Sequence, residues 1–112
     1  MLHLKDSALL KSRNYIDGEW VTGGAGTIDV TNPSTGEIVT ETANGDAADA
    51  ARAVEAAAEA FKTWSRVPAK QRAVLLRDWY NLLMANADDL GAIMTAEQGK
   101  PLFESVGEIA YG

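Results

Sequence analysis

Two predicted helices are separated by residues 94–101, which have the sequence MTAEQGKP. Glycine readily adopts the left-handed conformation that ends many helices, and proline cannot continue a helix. The helix that precedes this segment is therefore predicted to end at Gly99, with Pro101 preventing its continuation. A new apolar pattern starts at Leu102 and returns at Val106 and Ile109, with the spacing of a helical face. The segment thus predicts a corner between two helices.

Residues 44–112 are predicted to form the helical region. Asp46 is a suitable N-cap, and Asp49 adds negative charge to the first turn. Alanine, the strongest helix former, dominates residues 47–62. Spacings of four and three predict an apolar stripe on this first helix, made of Ala50, Val54, Ala57, Phe61 and Trp64.

Two further helices are predicted between this first helix and residues 94–101. Pro68 is placed to begin the second helix, which carries a broad apolar face that includes Leu76, Trp79 and Leu83. Asn86, with Asp89 three residues later, is predicted to cap the third helix.

Residues 14–43 are predicted to form two β-hairpins. Asp17-Gly18 tolerates the positive φ angles of a tight type I′ turn and lies between β-favouring residues. Residues 32–36, NPSTG, have strong turn chemistry between two extended patterns. The glycine-rich residues 22–26, TGGAG, are interpreted as a flexible loop between strands. Their glycine spacing fits neither the P-loop nor the dinucleotide-binding fingerprint.

The expected fold is therefore an α+β arrangement, in which N-terminal β-hairpins precede an antiparallel set of α-helices. Residues 1–13 mix apolar and charged positions and are predicted to be a loosely held N-terminus. A chain of 112 residues is sufficient for one modest domain.

Composition excludes several classes of function. Ten basic residues against sixteen acidic ones give a net charge of −6, which disfavours nucleic acid and anionic membrane surfaces as partners. The chain contains no cysteine, so a disulfide framework, a thiolate zinc site and a thiol nucleophile are all excluded. No apolar stretch has the length of a membrane span, and residues 1–6 do not resemble a signal peptide, so a cytoplasmic protein is expected.

Few residues are candidates for chemistry. His3 is the only histidine and is interpreted as a surface residue, because no catalytic partner lies near it in the sequence. Glu104 and Glu108 share a helical face and could bind a cation, as could Asp88-Asp89, although a solvated acidic surface is the preferred interpretation. Lys100 could be an amine with a shifted pKa but is expected to face solvent. The sequence offers no set of residues that would together supply a nucleophile, a base and an oxyanion site.

Four segments, in their order and spacing, resemble the N-terminal portion of the aldehyde dehydrogenase superfamily. They are YIDGEW at 15–20, DVTNPSTGE at 29–37, the alanine-rich helix ending in FKTW at 61–64, and EQGKP at 97–101. Residues 77–84, RDWYNLLM, and 94–101 are most similar to the succinate-semialdehyde dehydrogenase branch. The resemblance covers about residues 5–112.

The resemblance implies that this chain is a partial N-terminal, cofactor-domain segment of a longer α/β enzyme. That enzyme would use NAD or NADP to oxidise an aldehyde, such as succinate semialdehyde, to a carboxylic acid through a thioester on a catalytic cysteine. The family's cysteine, glutamate base, oxyanion asparagine and main nucleotide contacts match no residue here. We therefore expect no catalytic and no cofactor-binding residue, no bound cofactor, and no activity from the 112 residues alone.

Two further expectations follow from the resemblance. Many family members hold a structural monovalent cation, largely through backbone oxygens, and the matching positions are Thr31 and Glu108. The segment also packs against the rest of the enzyme, so apolar faces are expected to lack cover here, and self-association into homo-oligomers is predicted. The alternative is a non-catalytic helical interaction or scaffold module that is derived from the same family.

Overall fold

The computed structural model describes residues 2–112 and contains two separate β-hairpins followed by four α-helices. The first hairpin pairs strand β1 (Asn14–Ile16) with strand β2 (Glu19–Val21) in antiparallel register. Its turn has φ values of 54° at Asp17 and 78° at Gly18. Two consecutive positive φ angles are the mark of a type I′ turn, so the predicted turn is confirmed.

The second hairpin pairs strand β3 (Thr27–Thr31) with strand β4 (Ile38–Ala43), with a register shift at the Val30–Thr31 step. The side-chain oxygen of Asn32 accepts the Ser34 N–H at 2.9 Å, and Gly36 has a φ of 74°. Both features are typical of the turn chemistry of residues 32–36, NPSTG. The turn therefore fixes the pairing of these two strands.

The helices are α1 (Ala47–Trp64), α2 (Ala69–Ala85), α3 (Ala87–Gln98) and α4 (Leu102–Tyr111). Helix α3 ends at Gly99, which has a φ of 81° and donates its N–H to the Thr95 carbonyl at 2.9 Å. The predicted corner between α3 and α4 is confirmed, as is the α+β class with hairpins preceding helices.

The predicted cap of α3 is wrong in its detail. The Asn86 side chain makes no capping bond to α3 and instead donates to the Leu82 carbonyl of α2 at 2.8 Å. Asn86 itself has φ −113° and ψ 14°, so α2 and α3 are separated by a single non-helical residue. The Asp89 carboxylate is used elsewhere, as described below.

Helices α3 and α4 make the most extensive contact between helices in the described chain. Ser105 of α4 is fully buried, and its hydroxyl is hydrogen-bonded to that of Thr95 on α3 at 2.8 Å. A Cβ atom at Gly91 would lie 2.6 Å from Cγ2 of Val106, so the absence of a side chain at Gly91 allows this close approach. The small residues on α3 thus set the distance between the two helices.

Replacing Gly91 by alanine should lower the free energy of unfolding by about 1 kcal/mol, because overpacking of about 2 kcal/mol exceeds a helix-propensity gain of about 1 kcal/mol. Chemical denaturation of Gly91→Ala, Val106→Ala and the double variant measures this. Val106→Ala removes the clashing methyl group, so the double variant should be more stable than the sum of the two single changes predicts. Strict additivity would contradict the proposed contact.

Helix α1 does not bury the apolar stripe that its sequence pattern predicts. Its half-buried positions are Ala53 and Ala56, on the side nearer β1, whereas Val54 is 68% exposed and Phe61 is 65% exposed. Periodicity locates an apolar stripe on a helix but does not show which neighbour covers it. The stripe is therefore present, but the described chain leaves it in contact with solvent.

The molecule is open for its mass. It exposes 8139 Å² of surface, whereas a compact folded monomer of 11.9 kDa exposes about 5,900 Å². Its radius of gyration is 16.5 Å, against about 13 Å for a compact domain of this length. Ala43 and Ala87 are the only buried hydrophobic residues among residues 2–112. Much of the apolar surface that such a sequence normally buries is thus exposed.

Candidate functional site

A groove of about 450 Å³ lies between the second hairpin and helix α3. Its walls include Asn32, Ser34 and Val39 from the hairpin and Ala92, Thr95 and Ala96 from the helix. Glu37 is the only residue in the wall that carries a charge at neutral pH. The groove therefore offers apolar surface, hydroxyl groups and one carboxylate.

The edge of this groove is formed by a contact between Pro33 and Gly99. A Cβ atom on Gly99 would lie 2.7 Å from Cγ of Pro33. The hairpin turn therefore rests on the backbone of the residue that ends α3. The turn and the Gly-Lys-Pro corner, which are far apart in the sequence, form one junction.

The next residue, Lys100, forms an ion pair with Glu108 of α4. The Lys100 side chain is only 21% exposed, so the expectation that it faces solvent is wrong. Because Glu108 is engaged by an ammonium group, it does not share a cation with Glu104 in this arrangement. The pair joins the corner to the second turn of α4 and so stabilises the helix–helix angle.

The residues matched to the family's cation site, Thr31 and Glu108, lie on strand β3 and helix α4. Thr31 lies at the exposed end of β3, Glu108 is paired with Lys100, and the Glu108 carbonyl accepts the Gly112 N–H at 2.9 Å. A neighbouring ammonium charge opposes cation binding. The site at Thr31 and Glu108 stays a prediction.

A buried carboxylate, Asp49, holds the glycine-rich loop against the start of α1. Its Oδ2 atom accepts the N–H of Gly24 at 2.7 Å and the N–H of Asp46 at 3.0 Å. Asp46 completes a capping box by accepting the Asp49 N–H at 2.9 Å. The interpretation of residues 22–26 as a flexible loop is corrected, because the loop is bound to the helix start. The start of α1 is already occupied by carboxylates, which disfavours a phosphate there.

A second buried carboxylate, Asp89, holds the N-terminal segment against the start of α3. It accepts the backbone N–H groups of Lys5 at 3.1 Å and Asp6 at 2.8 Å, and the Lys5 ammonium pairs with Asp88 at 2.9 Å. Asp88 and Asp89 therefore bind the protein's own chain rather than a metal. Met1 lies outside the described residues. The loose attachment predicted for residues 1–13 stays a prediction, although these bonds anchor the part around Lys5.

The sequence predicted only part of the role of Asp49 and none of the role of Asp89 in binding distant backbone. The sequence indicates Asp46 as an N-cap and Asp49 as a first-turn acidic residue, but the bond from Gly24 to Asp49 joins residues 25 positions apart. The bonds to Asp89 join residues more than 80 positions apart, and no local pattern indicates them.

Acid should destabilise the fold through these two carboxylates. Hydrogen bonds from Gly24 and then Asp46, with Arg52 beside them, lower the pKa of Asp49 from 3.8 to about 2. Bonds from Asp6 and then Lys5 lower the pKa of Asp89. A carboxyl group whose pKa is lower in the folded state stabilises the fold at pH values above its unfolded-state pKa. This contribution is lost as the pH falls from about 4 towards 2.

Urea denaturation across this pH range tests the linkage. The Asp49→Asn variant should be less stable at neutral pH and should show a shallower loss of stability between pH 4 and pH 2. Asp29→Asn, on an exposed strand position, is the matched control and should keep the parent's pH dependence. An unchanged slope in Asp49→Asn would contradict the assignment.

Two classes of site are not found in the described part of the chain. No three histidine, aspartate, glutamate or cysteine side chains lie together as metal ligands within residues 2–112. In the same range, no helix combines the length and apolar character that crossing a bilayer requires.

Similarity to known proteins is extensive. The chain is 51% identical to a 3-sulfolactaldehyde dehydrogenase from Pseudomonas putida, over 100% of this chain and 23% of that protein. It is 49% identical to a glutarate-semialdehyde dehydrogenase from Pseudomonas aeruginosa, over 98% of this chain and 23% of the relative. The chain thus spans about a quarter of the length of these curated relatives.

The fold agrees with the sequence similarity. A solved succinate-semialdehyde dehydrogenase from Burkholderia pseudomallei superposes with a TM-score of 0.92 at 48% identity, over 96% of this chain and 23% of that one. Residues 20–112 match the aldehyde dehydrogenase family. Both hairpins and all four helices therefore occur in the arrangement that these enzymes use in their N-terminal portion, and the chain belongs to the aldehyde dehydrogenase family.

Proposed function

We propose that this chain serves as the N-terminal structural segment of an NAD(P)-dependent aldehyde dehydrogenase. The family uses NAD(P). The observation that carries the proposal is the superposition of nearly the whole chain on about a quarter of such an enzyme, together with the exposed apolar surface of its helices.

The proposed substrate is an aldehyde with an anionic group at its far end, with succinate semialdehyde as the leading example. Three similar proteins are named for 3-sulfolactaldehyde, glutarate semialdehyde and succinate semialdehyde. Each of these aldehydes carries a sulfonate or a carboxylate distal to the reacting carbonyl. A negative charge distal to the aldehyde is thus the chemistry that these three named substrates share.

The segment's contribution is positioning rather than catalysis. The reaction of the family needs a thiol nucleophile, and no cysteine occurs in the 112 residues. What the chain supplies is a rigid junction: Pro33 packed on Gly99, and the carboxylates of Asp49 and Asp89 holding distant loops to helix starts. The residues that would bind the cofactor, which accepts hydride from the aldehyde, are expected outside these 112.

A chimeric enzyme tests this role. In the Burkholderia pseudomallei succinate-semialdehyde dehydrogenase, the matching segment is replaced by this chain, and NAD(P)H formation from succinate semialdehyde is followed by absorbance. We expect turnover within about tenfold of the parent enzyme, because the segment holds the same fold without contacting the reacting atoms. A matched deletion of the segment should be inactive. A chimera that folds and assembles like the parent, yet shows no turnover, would contradict the proposed role.

A further inference from the structure

Residues 2–12 connect the second hairpin to α3, the two elements that form the groove. At one end, the Asp89 carboxylate of α3 accepts the Asp6 N–H at 2.8 Å. At the other end, the Ser12 carbonyl accepts the N–H of Ala43, the last residue of β4, at 2.9 Å. We call residues 2–12 the strap. The strap and both of its attachment points belong to the described chain, so the rest of a longer enzyme is not needed to form them.

The strap packs its apolar side chains against the protein. Its half-buried positions are its four leucines, Leu2, Leu4, Leu9 and Leu10. His3, between the first two, is exposed, and alternation of this kind is typical of an extended segment that packs on one side. Leu2 forms part of the wall of the groove. The strap therefore covers part of the groove with an apolar side chain.

Asp89 makes the strongest polar attachment of the strap. The N–H groups of Asp6 and Lys5 lower the pKa of Asp89, so this carboxylate is charged at neutral pH, and bonds to a charged acceptor are stronger than neutral ones. The ion pair between Lys5 and Asp88 joins two exposed side chains, and such pairs contribute little. A segment that is held by few bonds opens before the rest of a fold. The state of the strap therefore depends mainly on Asp89.

We propose that the strap is a hinged cover over part of the groove and that Asp89 is the latch that holds it closed. When Asp89 binds the strap, Leu2 occupies its place in the groove wall. When Asp89 releases the strap, the bond at Ala43 keeps the segment attached while Leu2 leaves the wall. Ala92 also lines the groove and lies less than one helical turn after Asp89, so it becomes more accessible.

Alkylation of one introduced thiol measures the opening. The chain has no cysteine, so Ala92→Cys places a single thiol in the groove wall. Adding Asp89→Asn should raise its rate of reaction with iodoacetamide, an uncharged reagent, by roughly tenfold, because one of two acceptor oxygens becomes an N–H donor that faces a backbone N–H. Asp88→Asn is the matched control: it removes an equal charge but only the exposed ion pair, and should change the rate by less than about twofold.

A thiol elsewhere distinguishes opening of the strap from general unfolding. Ala53 is half-buried on α1 and lies beside the first hairpin. The rate at Ala53→Cys should stay within about twofold of its parent value when Asp89→Asn is added. An equal rise at positions 53 and 92, or equal rates at position 92 with Asp88→Asn and Asp89→Asn, would overturn the proposal.

A second variant separates the cover from the latch. Leu2→Ala removes most of the covering side chain and leaves the bonds to Asp89 in place. It should speed alkylation at position 92 without speeding hydrogen exchange at the amides of Lys5 and Asp6, measured by mass spectrometry. Asp89→Asn should speed both. Unchanged alkylation in Leu2→Ala, or unchanged exchange of these amides in Asp89→Asn, would contradict the assigned roles.

Discussion

Alanine at position 23 is expected to lower the free energy of unfolding by about 3 kcal/mol. A Cβ atom there would lie 2.1 Å from the carbonyl oxygen of Asn44, which is a backbone atom and cannot rotate away. The Asn44 backbone is itself held on both sides, since its carbonyl accepts the Ala25 N–H at 3.0 Å and its N–H donates to Gly26 at 2.9 Å. Relieving the clash therefore breaks the bonds that attach the loop.

Chemical denaturation with tryptophan fluorescence measures this effect. Thr22→Ala, one position earlier and exposed, adds no atom to the contact and should remain within about 0.5 kcal/mol of the parent. If Gly23→Ala were as stable as Thr22→Ala, the close approach of the loop to Asn44 would be wrong.

Alanine at position 99 is expected to lower the free energy of unfolding by about 2 kcal/mol. Two effects add at this position. The φ of 81° is unfavourable for any residue with a Cβ atom, and that atom would also lie 2.7 Å from Pro33. The second effect separates the hairpin turn from the end of α3 and so opens the junction between them.

A matched glycine separates the two effects. Gly36 has a similar φ of 74°, but nothing lies within 4 Å of a Cβ atom built on it. Gly36→Ala should therefore lose only about 1 kcal/mol, from the positive φ alone. Equal losses at the two positions, measured by the same denaturation experiment, would mean that Pro33 does not press on Gly99.

Local features of the fold were predictable from the sequence because each has a local cause. Asp17-Gly18 selects a type I′ turn, Asp46 and Asp49 cap α1, and Gly99 ends α3 through a positive φ. Each of these rests on residues within four positions of one another. Backbone sterics and capping are sufficient to determine them.

Features that depend on tertiary neighbours were not predictable in the same way. The Asp89 carboxylate looks like a helix-capping residue in the sequence, but its partners are the N–H groups of Lys5 and Asp6. Lys100 was expected in solvent, because nothing local shows that Glu108 returns to it across the corner. The α1 stripe was correctly located, yet its exposure depends on which surfaces the remaining elements offer.

The difference between local and tertiary causes also limits what the sequence predicts about the candidate site. Family resemblance indicates Thr31 and Glu108 as cation positions, whereas the ion pair between Lys100 and Glu108 is a tertiary contact that no local pattern indicates. The absence of a thiol nucleophile follows from composition alone. Sequence therefore determined the class of enzyme better than it determined any individual site.

Complementation in solution tests the central claim most directly. The claim is that this chain supports the fold of an aldehyde dehydrogenase and does not itself carry out the reaction. The 112-residue chain is mixed with a Burkholderia pseudomallei succinate-semialdehyde dehydrogenase that lacks the matching segment, and NAD(P)H formation from succinate semialdehyde is measured for each part and for the mixture. We predict turnover only in the mixture. NAD(P)H formation by the 112-residue chain alone, or a truncated enzyme equally active without it, would contradict the account.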